Sequence, residues 1–324
     1  MSKIAPDETS SSDNDGRSAS VVVIGNFDGV HRGHLGILER GAALAQAEQL
    51  KFKVLTFDPH PRQVVSGRSV PVLTRTVRKR GLLEAMGLSI EVVVYPFTSQ
   101  TAQLSPEAFC TTILKDQLGA EIVVVGENFR FGQGRAGDLQ ALVSIGKQHA
   151  MRAMSETLRG DRAGPFSSTR VRALLSEGQL DEARLILGRP HLISGLVVRG
   201  AQQGRTLGFP TANLEQVPEV RPKDGVYAVH VYDLSAGARY LGPGALNLGA
   251  RPTVERPHGI EVHVIGYQGD LYGKELAVEL LAQIRPVMKF ENVTMLKQQI
   301  ALDVQTSLSL LAHHAPSSVA SGFV

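Results

Sequence analysis

Two different hydrophobic patterns divide this chain of 324 residues. In the first half, short continuous apolar runs alternate with segments of helical periodicity. The apolar runs lie at 21–24, 52–57, 91–95 and 121–125, and the helical segments at 35–50, 76–87, 106–119 and 138–150. Continuous apolar runs are typical of strands buried on both faces, and their alternation with helices predicts a doubly wound parallel sheet. Ligands of such sheets bind at the carboxyl ends of the strands.

The pattern changes after the Gly-Arg-Pro sequence at 188–190. From 192 to about 285 the apolar segments are short and are separated by Gly and Pro. This arrangement predicts an antiparallel barrel or sandwich. A helical segment at 291–311 then follows.

The change of pattern places the predicted domain boundary. We predict an α/β domain with a parallel sheet at 19–187 and a β domain with a closing helix at 188–312. The segments 1–18 and 313–324 are poor in apolar residues, so we expect them to be disordered.

Composition and charge argue against several classes of protein. The 34 Lys and Arg residues and 31 Asp and Glu residues give a net charge of +3, which is too small to indicate nucleic-acid binding. The apolar runs are too short to span a membrane, and the polar N-terminal segment does not resemble a signal peptide. The single cysteine, Cys110, allows no intrachain disulfide and is expected to be a core residue rather than a nucleophile. We expect a cytoplasmic protein without nucleic-acid or membrane partners, and leave open whether it is a homo-oligomer.

A glycine-rich loop with two histidines follows the first strand. The sequence GNFDGVHRGH at 25–34 has three glycines, which let the backbone turn tightly and approach a ligand. His31 and His34 are spaced i, i+3 and share a face at a helix entrance, where free N–H groups favour anions. Two imidazoles there can donate hydrogen bonds to the phosphoryl oxygens of a transition state.

Three other interpretations of this loop stay open. A zinc site would use both histidines, but no third ligand with suitable spacing is near. A dinucleotide-binding loop would need the G-x-G-x-x-G spacing, which is absent here. A surface loop without a ligand is the third interpretation.

Two further polar segments lie near strand ends or helix starts in the first half. GENFRFGQGRAGD at 126–138 contains glycines, aromatic residues and Asn128, which suit the binding of a flat ring. It can equally be a structural turn that packs Phe129 and Phe131. In SSTRVR at 167–172, Ser and Thr cap a helix and two arginines add positive charge, although an isolated segment of this kind is most often a plain helix cap.

The second half contains a candidate metal site in GRTLGFPTAN at 204–213. Thr211 and Asn213 are two residues apart in an extended segment, so both oxygens can face one side. Mg²⁺ bound to nucleotide phosphates takes few protein oxygens of this type. A phosphate loop of the Walker A type is rejected because Arg205 stands where Lys belongs and the loop is one residue short. An ordinary turn is the alternative.

The segment IEVHV at 260–264 alternates, with Glu261 and His263 on one face and Val262 and Val264 on the other. A carboxylate on a barrel wall can accept a proton from an attacking hydroxyl. The alternative is a solvated outer strand face, which this segment taken alone favours.

Taken together, these motifs resemble a known family. HRGH at 31–34 and FSSTRVR at 166–172 resemble the HxGH and ISSTxxR halves of the nucleotidylyltransferase signature. From about residue 20 to 305 the chain also contains, in family order, TFDPHP, GENFRFG, GRTLGFPTAN, GVYA, NLGARPT, EVH, DLYG and IRPVMKF. The whole series resembles the prokaryotic bifunctional riboflavin kinase/FMN adenylyltransferases, also called FAD synthetases. The resemblance implies an N-terminal nucleotidylyltransferase domain and a C-terminal riboflavin kinase barrel of six strands.

The resemblance also implies an activity and its site residues. The activity is phosphorylation of riboflavin to FMN, then adenylylation of FMN to FAD, with ATP and Mg²⁺ in both steps. His31 and His34 would contact the ATP phosphates, Glu261 would be the base for the ribityl hydroxyl, and Thr211 and Asn213 would bind Mg²⁺. The implied nucleotide- and flavin-binding residues are Gly25, Phe27, Asp28, Asn128, Ser167, Ser168, Thr169, Arg172, Gly204, Arg205, Asn247, Arg251 and Arg285.

The chain departs from the family pattern in three of its segments. Phe166 stands where Ile is usual, TRTVRKR at 74–80 lacks an acidic residue paired with Lys, and VIGYQG at 264–269 lacks an aspartate. These departures leave room for a specialised paralogue with altered flavin preference or one weakened activity. Two further alternatives are an enzyme with only one of the two activities and a non-catalytic flavin-binding protein.

Overall fold

The structure is a computed structural model that describes residues 18–200, 203–249 and 259–317. In its first half, five parallel strands form one sheet in the order β3-β2-β1-β4-β5. The strands are β1 Ser20–Ile24, β2 Lys51–Asp58, β3 Glu91–Pro96, β4 Ala120–Gly126 and β5 Arg152–Glu156. The four apolar runs are confirmed as strands. β5 was not predicted, because this strand at the sheet edge is half-buried and has no continuous apolar run.

Helices cover the sheet and connect its strands. They are α1 Leu35–Ala47, α2 Pro61–Ser66, α3 Thr76–Glu84, α4 Ser99–Gln103, α5 Pro106–Ala108, α6 Leu139–Gln148, α7 Ser168–Glu177 and α8 Leu180–Leu187. The helix begun by α5 continues as a π-helix over Phe109–Gln117, and a small hairpin, β6 Gly160–Asp161 with β7 Gly164–Pro165, precedes α7. Each predicted helical segment contains a helix. In the described part of the chain, no helix combines the length and apolar character needed to cross a bilayer.

The second half is a closed barrel, so the sandwich alternative is wrong. Its strand order is β10-β11-β12-β9-β8-β13, and each neighbouring pair is antiparallel. The strands are β8 His191–Val198, β9 Ala212–Glu215, β10 Gly225–Asp233, β11 Arg239–Gly249, β12 Gly259–Val264 and β13 Glu275–Arg285. A short helix, α9 Gln203–Thr206, precedes β9, and α10 Val293–Leu311 follows β13.

The two halves share a hydrophobic cluster. Leu73, from the first half, and the apolar faces of α7 and α8 lie in one cluster with the interior side chains of the barrel. The backbone of Val72 also pairs with the barrel domain: its N–H donates to Pro218 at 3.0 Å, and its carbonyl accepts from Val220 at 2.8 Å. Thus α7 and α8 pack against the barrel although they precede 188, and the boundary at 187/188 stays a prediction.

Cys110 lies in the core of the first half, with no exposed surface. Burial raises the pKa of its thiol to about 12. The thiol is therefore protonated at neutral pH, in agreement with the expected core role.

Candidate active sites

The glycine-rich loop leaves the carboxyl end of β1, the central strand of the sheet. Three of its residues have left-handed backbone angles: Phe27 (φ 46°), Gly29 (φ 87°) and Val30 (φ 40°). This conformation is costly for a β-branched residue such as Val30 and persists where the surroundings hold it in place. The side chains of Phe27 and Val30 are buried in the core cluster beneath the loop.

The two histidines of this loop lie face to face. Their rings stack with centroids 3.7 Å apart, and the main-chain N–H of His31 donates to Nδ1 of His34 at 3.2 Å. The side chain of His31 is buried, and its Nδ1 has no hydrogen-bond partner within the described residues. No group of three or more His, Cys, Asp or Glu residues suited to a metal occurs in those residues either.

Both imidazoles are held in the neutral form. Burial, and secondarily the charge of Arg189, lower the pKa of His31 to about 4. Burial also lowers the pKa of His34 well below its usual range, with further contributions from His31, Lys79 and Arg189. At neutral pH each ring is therefore an N–H donor without charge, and the positive charge near the rings belongs to Lys and Arg side chains.

Asp28 joins the two signature segments, HRGH at 31–34 and FSSTRVR at 166–172, which resemble the two halves of the nucleotidylyltransferase signature. Its buried carboxylate forms an ion pair with Arg172, and its carbonyl oxygen accepts a hydrogen bond from Ser168 Oγ at 2.8 Å. The same carboxylate accepts the main-chain N–H groups of Leu73, at 2.8 Å, and Thr74, at 3.2 Å. Segments that are far apart in the sequence are thereby brought together at the carboxyl end of the sheet.

Close backbone packing brings the same two segments together. A Cβ atom at Gly33 would lie only 2.3 Å from the carbonyl oxygen of Phe166, so the glycine permits the contact. Ser167 caps α7, its side chain accepting the N–H of Arg170 at 3.2 Å, and Thr169 is exposed in the first turn. The cap that the sequence predicts is present at the edge of the candidate site.

The loop after β4 combines a structural part and an exposed part. Phe131 is buried at 6% exposure and stacks on Phe129, which supports the structural-turn alternative for these two rings. Asn128 is exposed just beyond the carboxyl end of β4, next to β1 in the sheet. Gly25 is packed under the ring of Phe27, which lies 2.9 Å from where a Cβ would be.

Lys79 is a cation of this site that sequence reasoning missed. It is 4% exposed, and its Nζ donates to Thr56 Oγ1 on β2 at 3.3 Å. Burial lowers its pKa, while the charges of Asp28 and Asp58 oppose that shift. In the sequence, Lys79 belongs to the basic segment TRTVRKR, which has the composition of a solvated helix face. The one sequence signal that drew attention to this segment was its difference from the expected family pattern.

In the barrel, four of the predicted site residues fall in one row across adjacent strands. Asn213 on β9 is opposite Glu261 on β12, which is opposite Asn247 on β11. Across β10 the row continues through Val226 to Arg285 on β13. The neighbours of Glu261 on β12 point into the apolar interior, so this polar row lies on the outer face of the barrel.

The loop at 203–211 leads into β9, the strand that carries Asn213 at one end of the polar row. Asn213 is 7% exposed and packs so closely on Gly200 that a Cβ there would lie 2.4 Å from the amide nitrogen. Thr211 is half-buried beside Gly204, which α9 contributes together with exposed Arg205. Thr211 and Asn213 carry oxygen ligands of the kind that a hard cation such as Mg²⁺ prefers.

At the other end of the row, Arg285 connects the barrel to α10. Its guanidinium donates two hydrogen bonds to Asp303, at 2.9 and 2.7 Å, and Gln299 donates to the same carboxylate at 2.9 Å. The guanidinium also lies 5.7 Å from the ring centroid of Phe290. Arg251 and most of its NLGARPT motif lie outside the described residues.

Comparison with known proteins identifies both halves of the chain. The family model described as FAD synthetase matches residues 13–170, and the model described as riboflavin kinase matches residues 187–311. A bifunctional riboflavin kinase/FMN adenylyltransferase from Escherichia coli K12 is 38% identical, covering 89% of this chain and 91% of the relative. The protein of the same description from Listeria monocytogenes is 33% identical, with coverages of 90% and 92%.

A solved structure has a similar fold over most of this chain. It is described as a macrolide-efflux protein from Streptococcus pneumoniae, and it matches with a TM-score of 0.75, 28% identity and coverage of 90% of this chain and 94% of that one. Two family models that together span nearly the whole chain, and relatives that match it along nearly their entire length, show that the chain belongs to the family of bifunctional riboflavin kinase/FMN adenylyltransferases.

Proposed function

We propose that the chain phosphorylates riboflavin to FMN on its barrel and adenylylates FMN to FAD at the carboxyl end of its parallel sheet, with ATP as the donor in both reactions. The main support for FMN adenylylation is the contact between the two signature segments, which is made through Asp28, Arg172 and Ser168. The polar row of Asn213, Glu261 and Asn247 supports riboflavin phosphorylation.

In the adenylyl transfer, a phosphate oxygen of FMN attacks the α-phosphorus of ATP, and the bond to the β-phosphate breaks to release pyrophosphate. The attacking phosphate is already ionised at neutral pH, so the step needs charge stabilisation and no base. Neutral His31 and His34 would donate N–H bonds to the phosphoryl oxygens. Lys79 and Arg172 would balance the negative charge, and Gly25, Phe27, Asn128 and the segment 167–169 would border the ligands.

In the kinase step, the terminal ribityl hydroxyl of riboflavin attacks the γ-phosphorus, and ADP leaves. The hydroxyl loses its proton, and we assign Glu261 as the acceptor. We place Mg²⁺ beside Thr211 and Asn213, where it would neutralise charge on the ATP phosphates. Gly204, Arg205, Asn247, Arg251 and Arg285 remain proposed nucleotide- or flavin-binding residues.

We assign Asp28 a mainly structural part in the first site. Its carboxylate is buried and is already engaged by two main-chain N–H groups and by Arg172. A group held in this way fixes the shape of the loop rather than presenting a free charge to a ligand. The proposal further includes a cytoplasmic location, and small-molecule partners rather than nucleic acid, which agrees with the modest net charge of +3.

Chromatographic analysis of the products tests the function. Purified protein given riboflavin, ATP and Mg²⁺ should form FMN first and then FAD, and chelation of Mg²⁺ should stop both reactions. Formation of FMN without FAD would show that the protein has only the kinase activity. Formation of FAD from supplied FMN but not from riboflavin would show that it has only the adenylyltransferase activity. Flavin binding without either product would favour the non-catalytic alternative and contradict the proposal.

A further inference from the structure

Arg189 lies at the junction where the sequence pattern changes, between the end of α8 and the start of the barrel. Its side chain reaches back to the glycine-rich loop of the first site. Nη1 donates to the carbonyl oxygen of Val30 at 3.1 Å and to that of Leu187 at 3.1 Å, and Nη2 donates to the carbonyl oxygen of Gly29. One guanidinium thus bonds two consecutive carbonyls of the loop, directly before His31.

The two carbonyls belong to the strained part of the loop. Gly29 and Val30 both have positive φ angles, of 87° and 40°. For Val30 this conformation is unfavourable unless other interactions maintain it. Charge-assisted hydrogen bonds from a planar guanidinium are strong and directional, so they are suited to holding both carbonyls at once.

The backbone around Arg189 holds its side chain in a defined place. Gly188 ends α8 in the left-handed conformation, with φ of 77°, and Pro190 restricts the backbone that follows. The side chain of Arg32 packs on Gly188, where a Cβ would lie 3.2 Å from Nε. The guanidinium is therefore anchored by the domain junction rather than by a flexible segment.

We propose that Arg189 is a positioning residue for FMN adenylylation: by binding the carbonyls of Gly29 and Val30, it maintains the loop conformation that presents His31 to the ATP phosphates. This inference rests on the proposed function of the first site. A residue at the start of the barrel domain thus supports the active site of the N-terminal domain.

Replacement of Arg189 in the full chain tests the inference. Because small misplacements of catalytic groups are costly, Arg189→Met should lower kcat for FMN adenylylation about 10- to 100-fold, with a smaller change in KM for FMN and ATP. Arg189→Lys should lose less, since a lysine can bond one carbonyl but lacks the planar fork. Riboflavin phosphorylation, measured on the same preparations, should stay near wild type in both variants and serves as the internal check of folding.

Arg184→Ala is the matched control. Arg184 lies on α8 five residues earlier; its side chain is 37% exposed and lies 3.7 Å from Asp181, so both activities should be unchanged. Wild-type kcat for adenylylation in Arg189→Met, or parallel losses of both activities in Arg189→Met and Arg189→Lys, would overturn the positioning role. If wild-type protein makes no FAD from FMN and ATP, the proposed function itself fails and the role of Arg189 falls with it.

Discussion

At the scale of single residues, His31 and Glu261 separate the two proposed reactions. His31→Ala removes a donor to the phosphoryl oxygens and should lower FAD formation from FMN about 10²- to 10³-fold, while the kinase is spared. Glu261→Gln removes the proton acceptor and should lower FMN formation from riboflavin about 10²- to 10⁴-fold, while adenylylation is spared. Each variant is the control for the other. A variant that forms both products at wild-type rates would refute the role assigned to its residue.

His191 predicts how stability depends on pH. It is 4% exposed, its Nε2 is 2.7 Å from the carbonyl oxygen of Val220, and burial lowers its pKa from 6.5 to about 4. Since the unfolded chain binds the proton at higher pH than the folded chain, stability should fall as the pH drops from about 6.5 to about 4. The loss from this residue is about 3 kcal/mol, and His31 adds to it.

Urea unfolding measures this effect. The wild type and His191→Gln are compared at about pH 7.5 and about pH 4.5, which bracket most of the window set by the two pKa values. The glutamine amide keeps a donor near Val220 but does not titrate, so the variant should lose less stability on acidification. An identical loss in both proteins would show that His191 does not contribute.

At the scale of elements, the contact between the two signature segments depends on the absence of a side chain at Gly33. A Cβ in Gly33→Ala would meet the Phe166 carbonyl oxygen at 2.3 Å, so the two segments must move apart. We expect a loss of about 1–3 kcal/mol in unfolding free energy, as for other overpacked sites, and slower adenylylation. Denaturant unfolding and the rate of FAD formation measure the two effects.

Gly36→Ala is the control for this substitution. Gly36 lies in α1, and the nearest atoms to its Cβ position are 3.6 Å away, so a methyl group fits. Replacing a helical glycine by alanine should raise stability by about 0.5–1 kcal/mol. Equal effects of the two alanine variants would contradict the role of the close contact at Gly33.

At the scale of the whole molecule, a charged side chain of the first half binds two side chains of the barrel domain. Arg75, in the segment TRTVRKR, forms an ion pair with Glu275 and donates to Ser194 Oγ at 3.2 Å. Ser194 in turn donates to the buried carboxylate of Glu219 at 2.7 Å, and burial raises the pKa of that carboxyl. The segment TRTVRKR is therefore part of the junction between the halves.

Leu73 tests how far the halves depend on each other. Its side chain is 1% exposed in the cluster that includes the barrel interior, and its main-chain N–H binds Asp28. Leu73→Ala should lower the free energy of unfolding by about 2–5 kcal/mol, the usual range for a buried leucine. Val77→Ala, at a side chain that is 67% exposed, should change it by less than about 0.5 kcal/mol. Comparable losses in the two variants would show that Leu73 is not a shared core residue.

Much of this molecule was predictable from local sequence patterns. Continuous apolar runs predicted four of the five parallel strands, and alternation in IEVHV placed Glu261 and His263 on the face opposite the valines. The glycine-rich loop, its histidines and the SSTRVR cap could be named because they are short motifs. Among the five parallel strands, the edge strand Arg152–Glu156 lacked the apolar run that would have predicted it.

The tertiary structure alone decided which of these residues meet. Strand pairing aligned Asn213, Glu261 and Asn247 in one row. Packing of α3 on the sheet brought Lys79 close to the histidine loop, and the domain junction brought Arg189 there. Burial then made both histidines neutral. Hydrophobic periodicity records which face of a segment is buried, but strand register, desolvation and distances between remote side chains arise only when segments far apart in the chain pack together.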